Sequence, residues 1–241
     1  MKTLVVIPAR LESTRLPRKL LLAETGKPLI LHTADVAAWS GYEYVVASDS
    51  EEILRVCEDA DVPTFRTGEH PNGTSRMAEV AKARPDVECF INLQADEPDL
   101  RPAVIDLLAL ELELSPAFGC YTLGRPAKPE DYHNSNRVTV VSTNRWVRDF
   151  FRGVSSVVHI GIYAYRRASL LWYSEVPPSP REQSEKLEQL RALEHGLPIG
   201  VTYIDCDWPG IDTREDYDAF VKRRAGNQES MGRYSLLACF D

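Results

Sequence analysis

The chain contains no apolar run close to the roughly 20 residues that a membrane-spanning helix needs, so no membrane partner is read from it. Its opening, MKTLVVIPAR, holds too short an apolar stretch for a secretory signal, and charge arrives by Arg10. Five cysteines (Cys57, Cys89, Cys120, Cys206 and Cys239) are scattered without a C-x-x-C pair. That excludes a zinc framework or disulfide scaffold and reads as reduced core thiols of a cytoplasmic protein. Cationic excess is missing as well. Lysine and arginine number 28 against 36 aspartates and glutamates, for a formal net charge of -8, which argues against a nucleic-acid partner whose phosphates need a basic surface. There is no G-x-x-x-x-G-K-[ST] loop of the P-loop NTPases, no internal repeat and no low-complexity segment. A small anionic substrate stays open, because a few cations in a cleft can dominate the local field.

What is present is 241 residues, 44% of them hydrophobic, enough for one large domain or a domain with a lobe. Thr3–Pro8 is a β-branched run ending at proline, the pattern of a buried parallel strand. Helical spacing covers Pro28 to about Ser40. Tyr44–Ser48 reads as a strand, and Ser50 as the cap of a helix from Glu51. Pro63–Arg66 is a short extended piece, Ser75–Ala83 a helix, Cys89–Gln94 a third buried strand, and Pro102 opens a helix reaching about Leu114. This alternation predicts an α/β fold, a doubly wound and mostly parallel sheet with ligands at the carboxyl ends of its strands. The second half is mixed: strands at Arg137–Ser142, His159–Tyr165 and Ile199–Asp205, a helix over Glu182–His195, and a last helix over Asp212–Arg224 with Thr213 as cap. Residues after Gly226 show no pattern.

Three polar constellations sit just after predicted strands. The loop from Pro8 to Lys19 carries Arg10, Arg15, Arg18 and Lys19. Fixed cations, hydroxyls and backbone N–H groups in one loop suit a triphosphate; by charge alone the loop is equally a solvated basic one. Gln94-Ala95-Asp96-Glu97-Pro98 puts a carboxylate where it could hold magnesium, a hard ion that bridges one or two carboxylates to phosphate, or could cap a helix entry. Pro209-Gly210-Ile211-Asp212-Thr213 presents Asp212 as an N-cap, a metal ligand, or both. Asn72-Gly73-Thr74-Ser75-Arg76 allows close backbone approach and either seats a nucleobase or caps a helix.

Together the segments VVIPARLESTRLPRKLL, GKPLILHT, VVASDSEEI, NGTSRMAEV, INLQADEP, HIGIYAYRR, EKLEQLRALEHG and IDTREDYDAF resemble, in order along nearly the whole chain, the cytidylyltransferases that activate 3-deoxy-manno-octulosonate (KDO). The first block is shared with other sugar nucleotidyltransferases; HIGIYAYRR with EKLEQLRALEHG is far more specific. The resemblance implies the nucleotide-diphospho-sugar transferase type of fold. It implies one nucleotidyltransferase domain over residues 1–225, with a sugar-binding and dimerisation lobe at about 125–200 and a tail over 226–241. It also implies CMP transfer from CTP to a 3-deoxy-2-keto sugar acid, magnesium as cofactor, a cytoplasmic enzyme and a homodimer as the candidate assembly. Carried over by position, Arg10, Ser13, Arg15 and Lys19 hold the CTP phosphates, with Gly73 and Arg76 at cytosine and ribose. Asp96 and Asp212 take magnesium, while Gln94, His159, Tyr163, Glu188 and Gln189 line the sugar-acid pocket and Arg152 meets the carboxylate. Two departures stand out. The family's Gly-Asp-Glu-Pro turn is Ala95-Asp96-Glu97-Pro98 here, and the long Ser-Arg-x-x-Ile-Pro segment before the HIGIYAYRR strand is reduced to Phe151–Val157. An 8-amino analogue of KDO or a sialic-acid-like acid are the other acceptors left open, and a catalytically silent nucleotide-binding relative is the reading from another class.

Overall fold

A computed structural model describes residues 1–226 except Ser135 and Asp207; the patternless tail from residue 227 onward lies outside the described residues. β1 (Thr3–Ala9) is buried along almost its whole length, with alternate side chains serving two apolar layers. Val5, Ile7 and Ala9 face one, Leu4 and Val6 the other, as period-two geometry requires. Each fully buried Val, Leu or Ile contributes about 1.5–3 kcal/mol, so this strand is a firm base for the cationic loop that leaves its end.

The chain continues through α1 (Leu29–Trp39), β2 (Glu43–Ser48), α2 (Glu51–Glu58), β3 (Thr64–Arg66), α3 (Gly73–Ala83), β4 (Cys89–Asn92) and α4 (Ala103–Leu114). Ser50 caps α2, its hydroxyl accepting from the Ile53 N–H at 3.4 Å. Asn72 caps α3 by accepting from the Ser75 N–H at 2.8 Å, so this helix begins two residues before the expected Ser75 and takes Gly73 into its first turn. The four strands lie in the order β3-β2-β1-β4 and all pair in parallel. The chain leaves β1 toward β2 on one side and returns to β4 on the other, which opens a crevice at their carboxyl ends.

The second half supplies β5 (Cys120–Pro126), β6 (Val138–Thr143), β7 (Trp146–Arg152), β8 (Val157–Arg166), α5 (Arg167–Glu175), α6 (Pro180–Glu185), α7 (Gln189–Glu194), β9 (Ile199–Tyr203) and α8 (Arg214–Gly226). β8 joins β4 antiparallel, and one nine-stranded sheet results, ordered β3-β2-β1-β4-β8-β5-β9-β7-β6. The strands of the second half therefore extend the first sheet. Helices α1, α2, α4 and α8 cover one face and α3, α5 and α7 the other.

Two features depart from the sequence reading. β5 and β7 have no counterpart in it. The helix expected over Glu182–His195 is two short helices, broken where Lys186 turns left-handed at φ 55°. Cys57, Cys89 and Cys120 are free and buried, and Cys239 lies outside the described residues. No helix among the described residues is long and apolar enough to cross a membrane.

Sheet packing in the second half depends on Gly200 of β9. A Cβ added there would stand 2.3 Å from Cε2 of the buried Tyr121 ring. Gly200→Ala is therefore expected to lower stability by about 1–3 kcal/mol through overpacking, read as a reduced urea midpoint at unchanged m-value. An unaltered midpoint would show that the Tyr121 ring can move aside.

Candidate active site

The cationic loop and the two acidic turns meet at the crevice between β1 and β4. Lys19, in a short 3-10 turn at Lys19–Leu21, is buried, and its ammonium donates to Asp96 Oδ2 at 2.6 Å, to the Ile211 carbonyl at 2.6 Å and to Asp212 Oδ1 at 3.4 Å. Backbone contacts hold the two acidic turns together: the Ile211 N–H donates to the Asp96 carbonyl at 3.0 Å. From α1, the Thr33 hydroxyl donates to the Ala95 carbonyl at 2.9 Å. Two aspartates 116 positions apart in sequence thus converge on one cation.

Asp212 does not cap the helix that follows it. Capping of α8 falls to Thr213, whose hydroxyl accepts from the Asp216 N–H at 3.2 Å. Asp216 returns the favour by accepting from the N–H groups of Asp212 at 3.1 Å and Thr213 at 2.8 Å, a reciprocal capping arrangement. Relieved of capping, the Asp212 carboxylate faces Lys19 and also the Arg15 guanidinium at 2.8 Å.

Two cavities flank this cluster. The larger, about 630 Å³, is lined by Arg10, Gly73, Arg76, Gln94 and Glu188 among the residues expected in the site, together with Lys186 and Arg191. Gly73 is needed there for close approach, since a Cβ would meet the Pro8 ring at 3.3 Å. The Arg76 guanidinium is buried and held at 3.0 Å by Asp49 and by the Thr67 hydroxyl. The Glu188 carboxylate accepts from the Thr74 N–H at 3.5 Å, and burial pushes its pKa up. The smaller cavity, about 310 Å³, brings together Arg15, His159 and Asp212 with Glu97, Arg137 and Trp208. His159 shares a 3.0 Å hydrogen bond with the Thr122 hydroxyl. Burial lowers its pKa to about 3, so the ring is neutral at physiological pH.

The other expected residues stand apart from both cavity walls. Ser13 lies in the loop, half-buried. Tyr163 keeps a shielded hydroxyl with no hydrogen-bond partner among the described residues, and its ring stacks on Tyr165. Gln189 is buried at the start of α7. Arg152 is exposed, and its guanidinium donates to the carbonyls of Glu185 at 2.8 Å and Lys186 at 3.3 Å. Sequence reasoning passed over Arg137, Glu97 and Trp208. Glu97 lay inside a motif already singled out and Trp208 directly before another, whereas nothing near Arg137 carries a local signal.

The donor chemistry suits magnesium. Asp96 and Asp212 offer hard oxygen atoms that already share one positive group, the Lys19 ammonium. Among the described residues no three His, Cys, Asp or Glu side chains form a cage. Two hard carboxylates are the donors wanted by an ion that completes its shell with phosphate and water.

Comparison with known proteins places these features in a family. The family model described as cytidylyltransferase matches residues 4–199. A 3-deoxy-manno-octulosonate cytidylyltransferase of Rhodopirellula baltica is 38% identical, over 92% of this chain and 98% of its own. One from Brucella ovis is 41% identical, over 90% of this chain and 94% of its own. Among solved structures, CMP:2-keto-3-deoxy-manno-octonic acid synthetase complexed with CTP superposes with a TM-score of 0.88 at 33% identity, covering 94% of this chain and all of that one. A cytidylyltransferase of Leptospira borgpetersenii, at 17% identity and a TM-score of 0.64, shares the fold.

Proposed function

The chain belongs to the 3-deoxy-manno-octulosonate cytidylyltransferase family, and on that premise we propose that it transfers CMP from CTP to this sugar acid, releasing pyrophosphate, for lipopolysaccharide synthesis. The observation that carries the reading is the convergence of Asp96 and Asp212 on Lys19 beside two cavities. In the reaction the anomeric hydroxyl oxygen attacks the α-phosphorus. The bond from that phosphorus to the bridging oxygen of the β-phosphate breaks, pyrophosphate leaves with the electron pair, and the hydroxyl proton passes to water. Such a transfer needs positioning and charge neutralisation more than covalent help from the protein.

On this reading Arg10, Ser13, Arg15 and Lys19 hold the triphosphate, and Gly73 and Arg76 the nucleoside. Asp96 and Asp212 would hold magnesium, which when bound neutralises phosphate charge and acidifies a coordinated hydroxyl. Gln94, His159, Tyr163, Glu188 and Gln189 shape the sugar side. Tyr163 suits a ligand hydroxyl, because its own hydroxyl is shielded and has no hydrogen-bond partner among the described residues. We assign Arg152 to holding the joint between α6 and α7, since its guanidinium is given over to two backbone carbonyls there. The domain spans residues 1–225, with residues from about 125 to 200 shaping the sugar pocket and a homodimer contact. The enzyme works in the cytoplasm.

A pyrophosphate-release assay with CTP, magnesium and a panel of 2-keto-3-deoxy sugar acids tests the reading. Turnover should be highest with 3-deoxy-manno-octulosonate or its 8-amino analogue and far lower with sialic acid. CTP binding without turnover on any acid would overturn it in favour of a silent relative. Glu188→Ala should raise the KM for the sugar acid about tenfold, the loss of one hydrogen bond to a charged group, with the KM for CTP little changed. Unaltered constants for both substrates would remove Glu188 from the sugar side.

A further inference from the structure

We propose that the smaller cavity seats the charged end of the acceptor, with Arg137 the side chain that meets its carboxylate; this rests on the CMP-transfer reading. A sugar acid asks for one guanidinium that is not already committed, next to groups that can bind hydroxyls. Arg152 is committed to the carbonyls of Glu185 and Lys186 and lines neither cavity. Arg15 is paired with Asp212 at 2.8 Å. Arg10 and Arg76 line the larger cavity, beside the nucleoside residues.

Arg137 differs. It lines the smaller cavity with its side chain 35% exposed, and its only described ion pair is with Asp131, 3.0 Å from Nε to Oδ1. That contact is poorly directed, for Nε is shielded from solvent yet makes no hydrogen bond among the described residues. Asp131 is heavily engaged elsewhere: it takes both terminal nitrogens of Arg125 at 2.7 Å each and the Lys128 N–H at 2.8 Å. A carboxylate offers about four acceptor sites, so little of Asp131 is left for Arg137.

Facing it in the same cavity is the second such group, Glu97 Oε2, also shielded and unpartnered among the described residues. Gly210 leaves room for this carboxyl group, since a Cβ there would stand 2.9 Å from Glu97 Oε1. Both side chains line this one cavity. Buried polar atoms without partners are uncommon and call for a ligand or water. A donor cation and a carboxyl group facing each other, with the amides of Asn134 and Asn136 alongside, fit a polyhydroxy carboxylate: its carboxylate on Arg137, a hydroxyl on Glu97. The cavity adjoins Asp212, so a ligand seated there lies next to the metal-binding carboxylates.

The test measures binding by calorimetry and turnover by pyrophosphate release for wild type, Arg137→Met and Arg137→Lys, with 3-deoxy-manno-octulosonate and its methyl ester as probes. Arg137→Met should weaken acid binding about ten- to a hundredfold, leave CTP binding within about twofold, and leave the already weak binding of the ester unchanged. Arg137→Lys, which keeps the charge and guards against a folding defect, should fall between. Unchanged acid affinity in a folded Arg137→Met protein overturns the inference, as does equal weakening of acid and ester or a parallel loss of CTP affinity. Wild type that binds the acid but releases no pyrophosphate sinks the transfer reading alone. Wild type that turns over while Arg137→Met saturates equally well sinks only the Arg137 assignment.

Discussion

Asp96→Asn is expected to reduce kcat by about 10²- to 10⁴-fold while moving the melting temperature by only a few degrees. The activity loss follows from charge. Neutralising one of the two carboxylates that gather around Lys19 halves the anionic character of the pair proposed to hold magnesium, and a single preorganised electrostatic contact in an active site is commonly worth about 10²–10³ in rate. The small effect on stability follows from where the turn gets its shape. Its fixed contacts run through backbone atoms: Ile211 N–H to the Asp96 carbonyl, Glu97 N–H to the Gln94 carbonyl, and the Thr33 hydroxyl to the Ala95 carbonyl. Asparagine keeps all of these and can still accept from Lys19. The ion pair that is lost has its acidic partner 30% exposed, so its replacement by a neutral hydrogen bond costs on the order of 1 kcal/mol. Steady-state kinetics beside a thermal melt separate the two effects. Turnover like the wild type would remove Asp96 from the reaction, and a collapse in melting temperature would make it a structural residue.

The first half of the fold was legible because β1, β2 and β4 are apolar runs ending at a proline, serine or acidic turn, while α2 and α3 carry side-chain caps and α1 and α4 follow prolines. The same rule, ligands at strand ends, located the cationic loop and both acidic turns without any knowledge of contacts. Legibility failed where long-range pairing overrides local pattern. β5, with the sequence CYTLGRP, ends in residues that read as a turn, yet Arg125 within it is buried against Asp131. β7, WVRDFFR, interleaves charge with apolar residues because its exposed positions face solvent at Trp146, Arg148 and Arg152. The break at Lys186 has neither glycine nor proline to announce it; the carbonyls at that joint are held by Arg152, 33 and 34 positions earlier. For Asp212, sequence could not exclude the cap, because that depends on Thr213 and Asp216 taking over the N–H groups of the turn. The smaller cavity was invisible for a related reason. Its walls come from segments as distant as Arg15, Arg137 and Trp208, none of which signals the others.

Lys19→Met is expected to have the largest combined effect, raising the KM for CTP by about ten- to a hundredfold and lowering stability by about 1–3 kcal/mol. Methionine matches the length of the lysine stem, so packing against the 3-10 turn survives and the change isolates the ammonium. Removing it deprives the Ile211 carbonyl of a 2.6 Å donor and leaves Asp96 and Asp212 facing each other without a shared cation. Breaking a buried pair from one side costs about 3–5 kcal/mol when the remaining charge is fully enclosed. Here the side chains of Asp96 and Asp212 are 30% and 45% exposed, and water moderates the penalty. The residual repulsion gives the prediction its sharper form. With the internal cation gone, the two carboxylates become a better seat for an external one, so added magnesium should raise the melting temperature of Lys19→Met more than that of wild type, in the absence of CTP. Mass action then makes the gain grow with the logarithm of metal concentration. Equal magnesium responses in the two proteins would mean that Asp96 and Asp212 do not act together on a cation. An unchanged KM for CTP would place the Lys19 ammonium away from the triphosphate.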